Sequence, residues 1–144
     1  MKNQRSAVSN QRSGFTLLEL LVVVGIISIL VALMAVTFSV IQARSRDARR
    51  REDLKAMQDA LEQYYTNNGF VYPANSGLCT TGIEQFMKST TPTDPKSGGT
   101  YPTFECSTDS FCFCATLEGG NGNATDANCT SWGSGNYYCV SNLQ

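Results

Sequence analysis

Apolar and polar positions divide the chain into four stretches. Residues 1–14 are polar and basic without apolar periodicity, and we expect them to be disordered. Residues 15–41 are overwhelmingly apolar, whereas residues 42–68 place apolar side chains at helical spacing only, and residues 69–144 are rich in Gly and Cys. The spaced apolar positions, which predict one buried stripe on an amphipathic helix, are Leu54, Met57, Leu61 and Tyr64.

The second and third stretches are predicted to form one helix. No proline or glycine interrupts residues 26–68, so nothing breaks the helix between the apolar and the amphipathic half. A helix from Thr16 to Asn67 would be roughly 75–80 Å long at about 1.5 Å per residue. The Asn-Asn-Gly sequence that ends at Gly69 is typical of a helix C-terminus.

The apolar stretch 15–41 is long enough to cross a bilayer, which takes about 20 residues. The alternative is the buried core helix of a soluble protein. Little of the chain remains to surround such a helix, so we favour the membrane span. An ordinary secretory signal has its small-residue cleavage site after the apolar segment. Here Gly14 precedes that segment, and a cut there would leave the helix in the mature protein.

The last stretch predicts an α+β head, in which the long helix packs on a small antiparallel sheet. Thr81 and Glu84 have capping-box spacing, which predicts a short helix over Ile83–Lys88. The glycines of residues 119–123 and 133–135 indicate loops, and Ser107–Ser110 indicates a turn. The predicted strands, by their β-branched and aromatic content, are Tyr101–Cys106, Phe111–Leu117 and Tyr137–Val140.

All six cysteines lie in this head. An even number of cysteines in a small Gly-rich segment indicates up to three disulfides in an oxidising compartment, with about fifteen possible pairings. Zinc is the weaker alternative, because there is no Cys-x-x-Cys and no histidine. A head of about 75 residues has little core and needs such covalent support. The candidate disulfide residues are Cys79, Cys106, Cys112, Cys114, Cys129 and Cys139.

Charge is balanced overall, with 11 Lys+Arg against 12 Asp+Glu, but it is unevenly distributed. Beyond Lys55 only Lys88 and Lys96 are basic, so the head is acidic and we expect it to bind no nucleic acid. Six basic residues follow the span and three precede it, which by the positive-inside rule alone would place the head in the cytoplasm. We give the cysteines more weight and expect the head outside.

The basic cluster Arg44–Lys55 has two interpretations. In an assembly of subunits it would pair with Asp47, Glu52, Asp53 or acids of neighbouring subunits. Alternatively, it would be a solvated or headgroup-facing helix surface. Local i,i+4 pairs are expected between Asp47 and Arg51 and between Lys55 and Asp59.

Four residues at the start of the apolar stretch resemble a processing site. Gly14, Phe15, Thr16 and Glu19 match the N-terminal region of the type IV pilin superfamily, which includes the pseudopilins of type II secretion. The segment 61–73, and Asp94-Pro95 followed by Tyr101, are also similar to segments of that family. The six cysteines exceed the usual pilin complement.

The resemblance implies a filament subunit without enzymatic activity. A prepilin peptidase would cut between Gly14 and Phe15 and methylate the new amine of Phe15. The subunit would wait as a single-pass membrane protein with its head extracytoplasmic. An assembly ATPase and a platform protein would then draw it into a helical homo-oligomeric filament. The implied domains are a leader 1–14, a transmembrane and filament-core helix 15–41, an amphipathic helix 42–68 and a head 69–144.

Glu19 has two possible roles. A carboxylate in a membrane segment costs a few kcal/mol and needs a partner. The resemblance implies that Thr16 and Glu19 act in assembly, with Glu19 meeting the Phe15 amine of another subunit. The local alternative is that Thr16 and Glu19 form a capping box that merely begins the helix.

Three functions therefore compete. The leading hypothesis is a type IV pilus-like pilin for adhesion, motility or DNA uptake. The others are a type II secretion pseudopilin and a non-polymerising, membrane-anchored extracellular binding module. No Ser-x-x-Lys, Gly-x-Ser-x-Gly or P-loop pattern favours an enzyme. We expect no cofactor, although the resemblance to major pseudopilins makes Asp94, Asp109 and Asp126 weak calcium candidates.

Overall fold

The structure is a computed structural model that describes residues 14–143, except the side chains at positions 35, 36, 76, 103 and 104. Residues 1–13 of the predicted leader lie outside the described residues. The helical elements are α1 (Leu17–Asn67), α2 (Ser76–Thr81) and a 3-10 turn (Glu84–Phe86). The strands are β1 (Thr103–Cys106), β2 (Phe111–Thr116), β3 (Gly122–Ala124), β4 (Trp132–Gly135) and β5 (Tyr137–Ser141).

The predicted α+β class is confirmed. The five strands form one antiparallel sheet in the order β1-β2-β5-β3-β4. The chain divides into two compact units between Phe38 and Ser39. In the second unit, which contains the C-terminal half of α1, the helix packs on the sheet.

The sheet buries a different set of side chains on each face, because alternate strand residues point to opposite sides. One face contributes Phe111, Phe113 and Ala115 of β2 to a core shared with α1. The helical residues of that core are Leu54, Met57, Ala60 and Leu61, with Tyr64 partly buried beside them. The predicted apolar stripe of the amphipathic helix is therefore confirmed.

The opposite face of the sheet carries two disulfides. Cys112 bonds to Cys129, and Cys114 of β2 bonds to Cys139, its directly opposed residue on β5. Together with Ala124 they form a second buried cluster, covered by the segment that contains Ala127 and Cys129. The third disulfide joins Cys79 of α2 to Cys106 of β1. All six cysteines are thus paired, as the disulfide prediction requires.

Helix α1 ends where the Asn-Asn-Gly sequence predicts. Gly69 has a φ of +74°, the left-handed conformation that a glycine adopts without steric cost. The next amide, that of Phe70, donates to the Tyr65 carbonyl at 3.0 Å, which is the long-range bond of a Schellman motif. The Phe70 and Tyr65 rings meet edge to face with centroids 5.6 Å apart. This contact fixes the direction in which the chain leaves the helix.

Two local predictions for the head are wrong. Of the predicted helix Ile83–Lys88 only a 3-10 turn, Glu84–Phe86, forms. The α-helix of this region, α2, lies before it and is capped by the Asn75 side chain, which accepts from the Leu78 amide at 3.0 Å. The predicted loops contain strands β3 and β4. In these strands Gly122 and Gly135 lie so close to a neighbouring backbone that an added Cβ would collide with it.

Candidate functional site

The start of α1 holds the residues that the sequence singles out. The Thr16 amide and hydroxyl each donate to Glu19 Oε2 at 2.9 Å, and the Glu19 amide donates to Thr16 Oγ1 at 3.2 Å. These reciprocal bonds form a capping box. Gly14 and Phe15 precede the helix and are exposed, Phe15 at 90%. The proposed cut would fall in this accessible segment.

The first half of α1 exposes its apolar side chains on all sides. Leu17 is 80% exposed and Val22 is 50% exposed, and no part of the most apolar window is buried within the described chain. By length and composition α1 is able to cross a membrane. Its Ser28 and Thr37 hydroxyls donate to the helix carbonyls of Val24 and Met34 and so need no water.

The second half of α1 joins the head through a group of alternating charges, which we call the Arg50 cluster. The Arg50 side chain is 5% exposed and donates to carboxylates of Asp47 at 2.9 Å, Glu118 at 3.1 Å and Asp94. Arg46 binds both Glu118 oxygens, at 2.7 and 2.8 Å. The members of the cluster are Arg46, Asp47, Arg50, Asp94, Lys96 and Glu118.

Asp47 ties the helix to the loop after β2. Its two oxygens accept from the backbone amides of Glu118 and Gly119 at 2.9 and 2.8 Å. The Arg50 cluster contains three cations and three carboxylates, so its net charge is zero.

The charged residues of the cluster come from α1 and from two loops that are distant in sequence. The cluster therefore holds those two loops on the helix.

The ion pairs change the proton affinity of Glu118, Asp94 and Arg50. The hydrogen bond from Arg46 lowers the pKa of Glu118 from 4.5 to about 2. The hydrogen bond from Arg50 holds the pKa of Asp94 below its ordinary value, with help from the amides of Ser97 and Lys96. The same contacts raise the pKa of Arg50. All of these groups are therefore charged at neutral pH.

Two buried tyrosines bind acidic side chains of the helix. Tyr101 donates to Asp53 at 2.8 Å, and Tyr72 donates to Glu62 at 2.9 Å. Burial and the neighbouring carboxylate raise the pKa of each phenol, so both hydroxyls remain donors.

The predicted local ion pairs of the helix are wrong in detail. Asp47 pairs with Arg50 rather than with Arg51. The predicted pair of Lys55 and Asp59 does not occur among the ion pairs of the described residues. Arg51 Nη2 instead donates to the Asn121 carbonyl at 2.8 Å. Glu118 is a residue that the sequence analysis did not name, and Asp94 was named only as a weak calcium candidate and not as a partner of the arginines. The only signal for them was the excess of acids in the head.

The calcium candidates do not form one group. Asp94 lies in the Arg50 cluster, Asp109 in the turn between β1 and β2, and Asp126 in the segment after β3. Within residues 14–143, the group with metal-ligand proximity is Cys112, Cys114 and Cys129, and disulfides occupy all three sulfurs.

Comparison with known proteins identifies the N-terminal region. The family model for the prokaryotic N-terminal methylation motif matches residues 9–35. The type IV major pilin protein PilA of Myxococcus xanthus is 38% identical over 61 residues, which are 42% of this chain and 28% of that protein. The type II secretion system core protein G of Pseudomonas aeruginosa is 36% identical over 81 residues, 56% of this chain and 54% of that protein. No solved structure matches the chain.

The matches thus span only 28% and 54% of the lengths of these relatives. The chain carries the prokaryotic N-terminal methylation motif and is similar over part of its length to a type IV pilin and to a type II secretion core protein.

Proposed function

We propose that this chain is a structural subunit, a pilin of a type IV pilus-like filament that polymerises through its N-terminal helix. The observation that carries the proposal is a methylation motif over residues 9–35, which includes the start of a helix whose apolar side chains have no cover within the described chain. Such a surface needs lipid or other subunits around it. Helix-to-helix packing in a filament would provide the same apolar surroundings as the membrane.

Processing between Gly14 and Phe15 follows from this proposal. A prepilin peptidase would remove residues 1–14 and methylate the Phe15 amine, and the helix would stay with the mature subunit. The exposure of both residues supports access by the peptidase. We also propose the division into a core helix 15–41, an amphipathic helix 42–68 and a head 69–144.

Glu19 can serve the capping box and assembly together. Both bonds from Thr16 go to Oε2, and Oε1 accepts no hydrogen bond from the described residues. We propose that Oε1 receives the Phe15 amine of a neighbouring subunit. The attraction would grow as the surroundings lose water, which would favour one axial register of the filament.

The Arg50 cluster supports an extracytoplasmic head. Arg46 and Arg50 are bonded to carboxylates of the head, and Arg51 to a head carbonyl. Half of the basic residues that follow the span are therefore bonded to the folded head. They are weaker evidence for a cytoplasmic head than the positive-inside rule alone suggests. We propose that the subunit waits in the membrane with its head outside, for an assembly ATPase and a platform protein.

A pseudopilin of a type II secretion system is the second candidate. The match to core protein G covers more of this chain than the match to the pilin does. Extended fibres on cells would favour the pilin, whereas loss of secretion without fibres would favour the pseudopilin. For either function we propose no catalysis and no calcium requirement, since Asp94 is already bonded to Arg50.

Glu19→Ala tests the proposal. We expect the variant to be cleaved, but its incorporation into filaments should fall at least about tenfold, because a hydrogen bond to a charged group contributes about 1.5–3 kcal/mol. The measurement is the ratio of mature subunit in sheared fibres to that in the membrane. Glu52→Ala, which removes an exposed acid of the same helix, is the matched control. Equal incorporation of Glu19→Ala and wild type would refute the assembly role.

A further inference from the structure

A groove of about 560 Å³ lies within the second unit, apart from the Glu19 site. One wall is the helix over residues 39–51, and the other is the loop 118–121 that follows β2. Val40 and Ala43 give it an apolar end, and Arg44 and Arg51 give it a basic one. We call it the Arg44–Arg51 groove.

The acids that line the groove are already neutralised. Asp47 is bonded to Arg50 and to two backbone amides, and Glu118 is bonded to Arg46, Arg50 and Lys96. Arg44 and Arg51 pair with no carboxylate among the described residues. Two uncompensated guanidinium groups therefore face one groove, which is complementary to an anion.

Arg51 also has an unused donor. Its Nη2 binds the Asn121 carbonyl, and its guanidinium lies 5.7 Å from the centre of the Tyr138 ring. Its Nε is buried and has no hydrogen-bond partner within residues 14–143. Buried N–H groups are normally satisfied, so the Arg51 guanidinium keeps unmet hydrogen-bonding capacity beside the groove.

The groove lies where the helix changes from apolar to basic. Val40 belongs to the end of the apolar stretch, and Arg44 comes about 6 Å later along the axis at about 1.5 Å per residue. If the apolar stretch spans the bilayer, this boundary is the level of the lipid headgroups. An anion with an apolar tail matches both ends of the groove.

We propose that the Arg44–Arg51 groove binds the phosphate headgroup of an anionic phospholipid while the subunit waits in the membrane. This inference rests on the proposed membrane-embedded state of the subunit. The phosphate oxygens accept from the guanidinium groups of Arg44 and Arg51, and the first acyl segments lie along Val40 and Ala43. The lipid leaves when the subunit enters a filament.

The test is native mass spectrometry of the full chain in detergent micelles with added phosphatidylglycerol or phosphatidylcholine. We expect the wild-type protein to retain one phosphatidylglycerol and to release phosphatidylcholine. Arg44→Gln and Arg51→Gln should each lower retention about tenfold, the effect of one charge-assisted hydrogen bond. Arg49→Gln is the matched control, because Arg49 is exposed and does not line the groove. Near-ultraviolet circular dichroism of each variant checks the fold, and Arg44→Gln changes only an exposed side chain.

Several results would overturn the inference. Equal retention of the two lipids, or an equal loss in Arg49→Gln, would mean that no specific site exists. Full displacement by millimolar inorganic phosphate would mean an adventitious ion only. Binding to a carboxylate peptide in preference to lipid would assign the groove to an acidic partner. Fibre yield is measured separately: fibres without lipid retention contradict this inference alone, whereas lipid retention without fibres contradicts the proposed function.

Discussion

Leucine behaves in opposite ways in the two units of this chain. Leu17, in the first unit, is 80% exposed, whereas Leu54 and Leu61, in the second, are fully buried. All three lie on the same helix. Residues 39–143 bury their apolar stripe against their own sheet, whereas residues 17–38 have no such cover within the described chain. The same helix thus has a C-terminal half whose apolar side chains are covered by the chain's own sheet and an N-terminal half whose apolar side chains need lipid or other subunits to cover them.

The broadest effect on function should come from a charge in the apolar segment, since both membrane integration and filament assembly depend on that segment. Ile27→Arg puts a cation near the middle of the span, at a cost of about 2.5–3.5 kcal/mol on insertion scales. We expect loss of membrane integration and of fibres, with an unchanged melting temperature of the head. Fractionation and thermal melts measure the two quantities, with Ile27→Val as the control. Normal fibres from Ile27→Arg would show that this surface is not a contact between subunits.

Within the head, Arg50→Leu should be the most damaging substitution. It removes the shared partner of Asp47, Asp94 and Glu118 and leaves buried charge uncompensated. Breaking a buried ion pair in this way costs about 3–5 kcal/mol. Urea unfolding should show this loss, and Arg49→Leu should stay within about 0.5 kcal/mol of wild type. Equal stability of the two variants would contradict the structural role of the Arg50 cluster.

Removing the disulfide between Cys112 and Cys129 should have a slightly smaller effect. The two residues are 17 positions apart, and closing a loop of that size stabilises a fold by about 3 kcal/mol. The double Ser variant should therefore unfold at lower urea but still reach the membrane. Urea titrations under non-reducing conditions measure this. An unchanged midpoint would mean that the pair is not bonded in the native protein.

Acid should weaken the head. The pKa values of Glu118 and Asp94 are lower in the folded head than in the unfolded chain, so the folded state binds fewer protons. Their stabilisation is complete above about pH 5 and is lost as the pH falls towards the folded pKa of Glu118, about 2. Melting temperatures from pH 7 to pH 2 should show this decline. Glu118→Gln should make the decline shallower, and a steeper decline would be inconsistent with the assignment.

The features that the sequence predicts correctly are those formed by residues close to one another along the chain. The apolar stripe and the end of α1 at Gly69 follow from residues within a few positions of each other, and both predictions are confirmed. The bonds from Arg46 and Arg50 to Glu118 join residues about 70 positions apart, so periodicity carries no information on them. The partners that the sequence suggested were acids of the helix itself or of neighbouring subunits, not acids of the chain's own head.

Strands β3 and β4 were missed for a different reason. Their glycines resemble loop residues in sequence, yet Gly122 and Gly135 are needed because two backbones approach closely there. The short helix α2 starts at the Asn75 cap, a signal that the stronger-looking Thr81 to Glu84 pattern concealed. For the two strands a tertiary contact, rather than local propensity, decides the element. The start of α2 is decided by a local contact, the cap from Asn75 to the Leu78 amide.

The central claim is that the apolar segment is retained after processing and covered by other subunits. The most direct test is intact-mass and N-terminal analysis of the protein from fibres sheared off its native host. The account predicts a chain that begins at Phe15, carries a methyl group on that amine and sediments as a polymer. A protein that still begins at Met1 and remains monomeric in detergent would contradict it.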